Sequence, residues 1–285
     1  MDNMTAKVSC FARAYHFENN RTHIFADSIA QKLLGEDYDR IAESMTQGIG
    51  FFLPGFEGSP AEGLRLIVDR QLSPSVLGRS AFCEDMLGRS GCGQYMVFAS
   101  GYDTFALRNS EPTVYELDLP ELIADKMRRI DAARLHTSAV FVPCNLADGA
   151  WPQALLGKGF NTQEKSFASL LGISYYLTKS ELAALLRTTG SLMAAGSAIC
   201  FDFPCENDSE QTRTNRTLAE GAGEKMKAQY SLPEIKALLA DCGFAIEQHL
   251  DHAAMTERYF ADYNAQDPQH NITAPLGVDY ILARN

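Results

Sequence analysis

The chain is short of the features that mark a membrane, secreted or nucleic-acid-binding protein. In 285 residues no stretch approaches the eighteen or so uncharged apolar residues of a bilayer-spanning helix. The opening MDNMTAKVSCFARAYHFENN has no apolar core of the kind a secretion signal carries. The seven cysteines (Cys10, Cys83, Cys92, Cys144, Cys200, Cys205 and Cys242) form no C-x-x-C pair. An odd number of scattered thiols suits a reducing compartment better than a disulfide framework, so a cytoplasmic protein is expected. Lysine and arginine total 25 against 36 acidic residues, a net charge of −11 with no basic patch. Binding to a nucleic-acid backbone is therefore not expected. What remains is a small-molecule or peptide partner; oligomeric state is not legible.

What the sequence does contain is alternation. From about residue 95, seven short β-rich runs at 95–99, 113–118, 138–144, 165–171, 197–203, 244–250 and 277–283 are separated mostly by helical patterns. LPELIADKMRRIDAA spaces its apolar residues at three and four, KSELAALLRTTG is expected to end on its glycine, and SLPEIKALLADCGF opens on a serine cap and closes at Cys242-Gly243. The segment 251–276 offers at most a short helix in HAAMTERYFADYN, which suits a final antiparallel hairpin needing no crossover. Residues 1–90 carry helical runs such as HIFADSIAQKLLG and AEGLRLIVDRQL, broken at FLPGFEGSP. The expected fold is α/β: a Rossmann-like, seven-stranded, mostly parallel sheet with an antiparallel last strand (residues 91–285), under an N-terminal helical cap (residues 1–90).

Glycine is scarce where it would decide the cofactor. In an open parallel sheet ligands lie beyond the carboxyl ends of the strands. Those loops read Ser100-Gly101-Tyr102-Asp103, Asp118-Leu119-Pro120, Asn145-Leu146-Ala147-Asp148 and Leu171-Gly172. A dinucleotide pyrophosphate needs several glycines so that backbone N–H groups can approach it; here the loop after the first strand has one. GCGQYM (91–96) precedes that strand and so lies at the wrong end of the sheet. S-adenosylmethionine carries no phosphate, and one turn at Gly101 with an acid seventeen positions on, Asp118, to hold ribose hydroxyls would suffice. A nicotinamide-dependent oxidoreductase is the poorer fit, and a non-catalytic binder of the same cofactor is a further alternative.

Three segments resemble a known family. ASGYDTFALR is similar to the motif LGAGxDTxxxR, VYELDLPELIADKMRRI to FEVDxPxVxxxK, and GISYYLTKSEL to GxLxYL. These mark the leucine carboxyl methyltransferase-like family of class I methyltransferases. The likeness extends through SCFARAY, IFADSIAQKLLG, VLGRSAFCEDML and LLADCGF, most of the chain. It implies a methyl group transferred from S-adenosylmethionine to oxygen, leaving S-adenosylhomocysteine. It also implies that Arg79 holds the methionyl carboxylate, that Gly101 lies under the methionyl moiety, that Asp118 holds the ribose and that Asn145 and Leu146 flank the adenine, with Ser100, Asp103, Leu119 and Leu171 as further cofactor-binding positions. Two positions depart from the pattern: Asn145 stands for the usual Asp, and Leu171 for a Glu expected near the cofactor.

The acceptor chemistry stays open at this level. A carboxylate arrives ionised and needs only a cation to orient it, for which Arg13, or less readily Lys7, is available. A phenol or alcohol must lose a proton, and His16 lies three residues beyond Arg13, near enough to share a helical face. Tyr176, rather than Tyr175, matches the family tyrosine that would donate to the acceptor. Each has a plainer reading: Arg13 as a cap, His16 as a buried or surface ring, both tyrosines as packing, Arg79 paired with Glu84 or Asp85, and Asp103 capping the next helix. His249 and His252 resemble a metal pair without further ligands, and no metal is expected.

Overall fold

The computed structural model describes residues 3–205 and 226–285. Before the sheet come α1 (Met4–Asn19), α2 (Ala30–Leu34), α3 (Asp37–Gln47), α4 (Ile49–Phe52), α5 (Pro60–Ile67), a π turn (Val68–Leu72) and α6 (Ser73–Ser90). Then follow β1 (Gln94–Phe98), α7 (Phe105–Arg108), β2 (Thr113–Asp118), α8 (Pro120–Ala132), β3 (Val140–Pro143), α9 (Trp151–Gly157), β4 (Ser166–Leu170), α10 (Lys179–Leu192) and β5 (Ala198–Pro204). The chain ends with α11 (Leu232–Asp241), β6 (Ala245–Leu250), α12 (His252–Met255), a second π turn (Thr256–Phe260), α13 (Ala261–Gln266) and β7 (Val278–Arg284). Each expected strand is present, β2 at its expected bounds and the others shifted or shortened by a residue or two at their ends.

The strands run β3-β2-β1-β4-β5-β7-β6, with β7 antiparallel to both neighbours. Strand periodicity sorts β1 between the two faces. Met96 and Phe98 pack with Trp151, Leu155, Leu186 and Leu239 under α9, α10 and α11. Tyr95 and Val97 pack with Leu77, Phe82 and Phe260 under α6 and the helical run after β6. A third cluster joins α1 to α2, α3 and α8 through Phe11, Leu33, Ile41 and Leu122. Because β3 lies at one edge and β4 returns beside β1, the order reverses between β1 and β4. That is where a crevice opens past the strand ends.

Three helical expectations change. HIFADSIAQKLLG is helical only from Ala30, because the Asp27 carboxylate accepts the N–H groups of Ile29 (3.3 Å) and Ala30 (3.1 Å) and starts the helix there. The segment after β6 is helical from His252 to Gln266. Met255 and Phe260, five apart, would point about 140° away from each other on a regular helix; the π turn between them brings both into the same core. Finally, α10 does not stop at Gly190 but continues to Leu192. Gly190 is there for space: a Cβ would lie 2.9 Å from the Cys242 carbonyl oxygen and 3.0 Å from the Phe244 ring.

Gly190→Ala is accordingly expected to destabilise the fold. In open helix the change would contribute about 1 kcal/mol of propensity, but overpacking costs about 1–3 kcal/mol. A fall in melting temperature is expected by calorimetry; a rise would show that the contact yields freely.

Candidate active site

The loop after β1 turns on left-handed backbone at Ala99 (φ +49°) and Gly101 (φ +50°). This presents the Gly101 N–H to Asp118 at the end of β2, whose Oδ2 accepts it at 2.7 Å, while its Oδ1 accepts the Leu119 N–H at 2.7 Å. Burial raises the Asp118 pKa and the two backbone donors pull it back. A side chain at Gly101 would approach Ala6 of α1 to 3.2 Å, so α1 lies close over the turn. Ser100 Oγ is buried here beside the Glu116 carboxyl and meets no close hydrogen-bond partner among the described residues. Asp103 faces the same space, and its Oδ1 also accepts the Phe105 N–H at 2.8 Å, so it caps α7 as well.

On the other side of β1, the loop after β4 turns at Gly172 (φ +71°). The Gly172 N–H donates to Asp202 Oδ1 (2.7 Å), the Tyr175 hydroxyl to Asp202 Oδ2 (2.9 Å) and the Ser174 hydroxyl to the Asp202 carbonyl (2.6 Å). Arg79 of α6 lies flat against Gly172, where a Cβ would run into its guanidinium. Its Nη1 is 3.7 Å from Asp202 Oδ2 and its Nη2 3.5 Å from Ser9 Oγ. The plainer reading of Arg79 does not hold: Glu84 is bonded by Arg108, and Asp85 by Arg89 and Arg258.

These loops and α1 enclose a cavity of about 210 Å³ lined by Arg13, Arg79, Ser100, Gly101, Asp103, Asp118, Leu171 and Tyr176, among others. Eight of the twelve residues singled out in sequence thus meet in one place. Leu119, Asn145, Leu146 and His16 are not in its lining. The first three follow β2 and β3, where Leu119 is 38% exposed and the Asn145 side chain accepts the Ala147 N–H at 3.0 Å. A second cavity of about 360 Å³ shares Thr5, Ser9, Arg79, Gly172 and Tyr176 with the first.

The cap residues separate by role. The Arg13 Nε donates to Asp27 Oδ2 at 2.8 Å and its Nη2 to the Tyr102 carbonyl at 2.7 Å, which ties α1 to the β1 loop. Asp27, fully buried, also accepts from Thr104 at 2.7 Å. Burial alone would raise its pKa, but Arg13 and Arg108 outweigh that and hold it below the usual carboxylate range. Asp27 and Asp202 were missed in sequence; for Asp27 the local signal was an Asp three residues before a helical run. Lys7 is spent on Asp37 at 2.9 Å. His16 is buried one turn past the cavity stripe of α1, and its Nε2 accepts the Ile24 N–H at 2.9 Å. It is not a base in reach of either cavity. His249 bonds Asp279 and His252 bonds the Ala274 carbonyl, and among the described residues no three His, Cys, Asp or Glu side chains converge as a metal site.

Residues 6–190 match the leucine carboxyl methyltransferase family. The chain belongs to that family. A full-length relative from Bacillus subtilis, "Putative S-adenosyl-L-methionine-dependent methyltransferase YktD", is 32% identical over 98% of this chain and 97% of its own. The fold is shared by a DUF574 family protein from Streptomyces avermitilis (TM-score 0.61, 9% identity, 99% and 97% of the two chains). It is shared also by the mitomycin 7-O-methyltransferase MmcR (TM-score 0.51, 12% identity, 90% and 70%). The family and the Rossmann-like fold are thus those the three sequence motifs implied.

Burial, with the charges of His23 and Arg65, lowers the His16 pKa from 6.5 to about 3. The sign follows directly: the neutral ring is favoured by folding, so its contribution to stability is full above pH 6.5 and is lost as pH falls from there toward 3. Urea unfolding at pH 7.5 and pH 5.0 is expected to show a smaller acid-induced loss in His16→Asn than in the parent. Equal losses would remove His16 from this account.

Proposed function

We propose that the chain is an S-adenosylmethionine-dependent O-methyltransferase. In this reading the cofactor lies in the first cavity, and the carboxylate or hydroxyl of a small molecule or peptide reaches it from the second. The observation that carries the reading is the pairing of Asp118 and Arg79 on one cavity, on either side of the Gly101 turn, since β2 and β4 flank β1. The residues fit the group. Asp118 has lone pairs beyond those its two backbone donors use, Ser100 brings a hydroxyl to the lining, and Arg79 offers a planar fork to a carboxylate. Leu119, Asn145 and Leu146 stand past Asp118, where adenine would extend beyond the ribose. With only one glycine in its loop, the turn after β1 offers poor support for a nicotinamide dinucleotide.

When bound, the cofactor supplies an electrophilic methyl group. The chain's part is to hold the acceptor oxygen in line and to keep water out. The helices before α6 act as a cap in this reading, while α6 itself covers a face of the sheet rather than belonging to a cap that ends at residue 90: α1 lies over Gly101 and is pinned by Arg13 to the Tyr102 carbonyl. The carboxylate acceptor is favoured over the hydroxyl by one observation: among the described residues no histidine lines either cavity, and the carboxylates of the first, Asp103 and Asp118, already accept backbone N–H groups. All seven cysteines are free thiols, which supports a cytoplasmic setting. Among the described residues no helix is long and apolar enough to cross a membrane.

Asp118→Ala and Arg79→Ala each remove a charge-assisted hydrogen bond to the cofactor, of the order of 1.5–3 kcal/mol, or at least about tenfold in affinity. Calorimetric titration with S-adenosylhomocysteine should show that loss in both, with circular dichroism confirming that the variants fold. Unchanged affinity in folded variants would refute the assignment.

A further inference from the structure

We propose that the second cavity holds the body of the acceptor and that the acceptor is a small, apolar monocarboxylic acid. The inference rests on the methyltransfer reading and adds the substrate class. The two cavities are contiguous: five residues line both, and Arg79 and Tyr176 stand at the neck between them. Beyond the neck the wall is mostly apolar, built from Val8, Met45, Phe52, Ile67, Leu72 and Val76 with the polar Gln71 and Ser75 among them, and Met4 and Met226 add unbranched side chains that adapt to a ligand's shape. Its volume, about 360 Å³, is at the lower end of small-molecule sites.

Charge narrows the class further. Among the described residues no Asp, Glu, Lys or His lines this cavity, and Arg79 at the neck is its one charged side chain. A cationic acceptor would be desolvated without a counterion, and a polyanion would find one cation for several charges. A single carboxylate at the neck balances. Arg79 leans on Asp202, so the positive charge a carboxylate at the neck would meet is the cofactor's own sulfonium, which an alcohol or amine acceptor would not complement. A peptide would bring further backbone N–H and C=O groups into a mostly apolar space, where each costs free energy unless paired.

The step balances without a base. One carboxylate oxygen forms a bond to the methyl carbon while the carbon–sulfur bond breaks and its electron pair stays on sulfur. No proton moves, and the products are a neutral methyl ester and S-adenosylhomocysteine.

The test uses the full chain saturated with S-adenosylhomocysteine, to which decanoate, naphthoate, decanol, decylamine or a short peptide ending in leucine is added. Decanoate or naphthoate should raise the melting temperature and bind calorimetrically, and with S-adenosylmethionine should yield its methyl ester by mass spectrometry. Met45→Glu and Phe52→Glu, which place a carboxylate in the apolar wall, should each weaken acid binding tenfold or more while leaving S-adenosylhomocysteine affinity within twofold. If the homocysteine product binds and neither acid does at millimolar concentration, the acceptor class is wrong and the cofactor site stands. If the alcohol, amine or peptide is bound or methylated in preference, the class is likewise overturned. Failure of S-adenosylhomocysteine itself to bind would reject the underlying reading instead.

Discussion

The site depends on one carboxylate accepting two backbone N–H groups. Asp118 at the end of β2 takes the Gly101 and Leu119 amides, one on each oxygen. In doing so it fastens the loop after β1 to the loop after β2. Without it, two amides at the carboxyl edge of the sheet would be left to find partners in a space meant to stay dry. The glycine is the complement of the acid: its left-handed backbone aims the N–H at Asp118, and its missing side chain lets α1 come down to Ala6.

The same device recurs around the crevice. Asp27 takes the amides that begin α2, and Asp202 takes the amide of Gly172, so three buried acids each organise a backbone turn. Each has a different counterweight. Asp27 has Arg13 and Arg108 close by, Asp202 has Arg79, a tyrosine hydroxyl and the Gly172 amide, and Asp118 has its two amides. A buried carboxylate is tolerated where its oxygens are bonded in this way. The arrangement is rigid where the loops must keep their shape, and it leaves Arg79 leaning on Gly172 at the junction of the two cavities. Arg79 and Gly172 line both cavities, and Asp202, which holds the Gly172 amide, therefore bears on the shape of each.

Much of the fold was legible because it is written in short periods. The strands announce themselves by alternation, as Tyr95 and Val97 against Met96 and Phe98 illustrate. Helix starts at Ser59, Thr178 and Ser231 carry complete capping boxes within four residues. The ends of β1, β2 and β4 follow from the strand pattern, which is why Gly101, Asp118 and Leu171 were found together. The run after β6 was underestimated because its apolar spacing fits no regular helix, and only a π turn reconciles Met255 with Phe260.

By itself, then, the amino-acid order determined the alternation of strands and helices, the single-glycine turn and the family, since each is encoded within a few residues or a contiguous motif. Tertiary structure alone decided the rest. Arg13 and His16 lie three apart on one helix, yet one lines the crevice and the other is locked to the Ile24 amide. Arg79 had acidic neighbours at 84 and 85, yet it turned to Asp202, 123 positions on. Such choices depend on which surfaces are brought together and dried by packing, and separation along the chain carries no record of that.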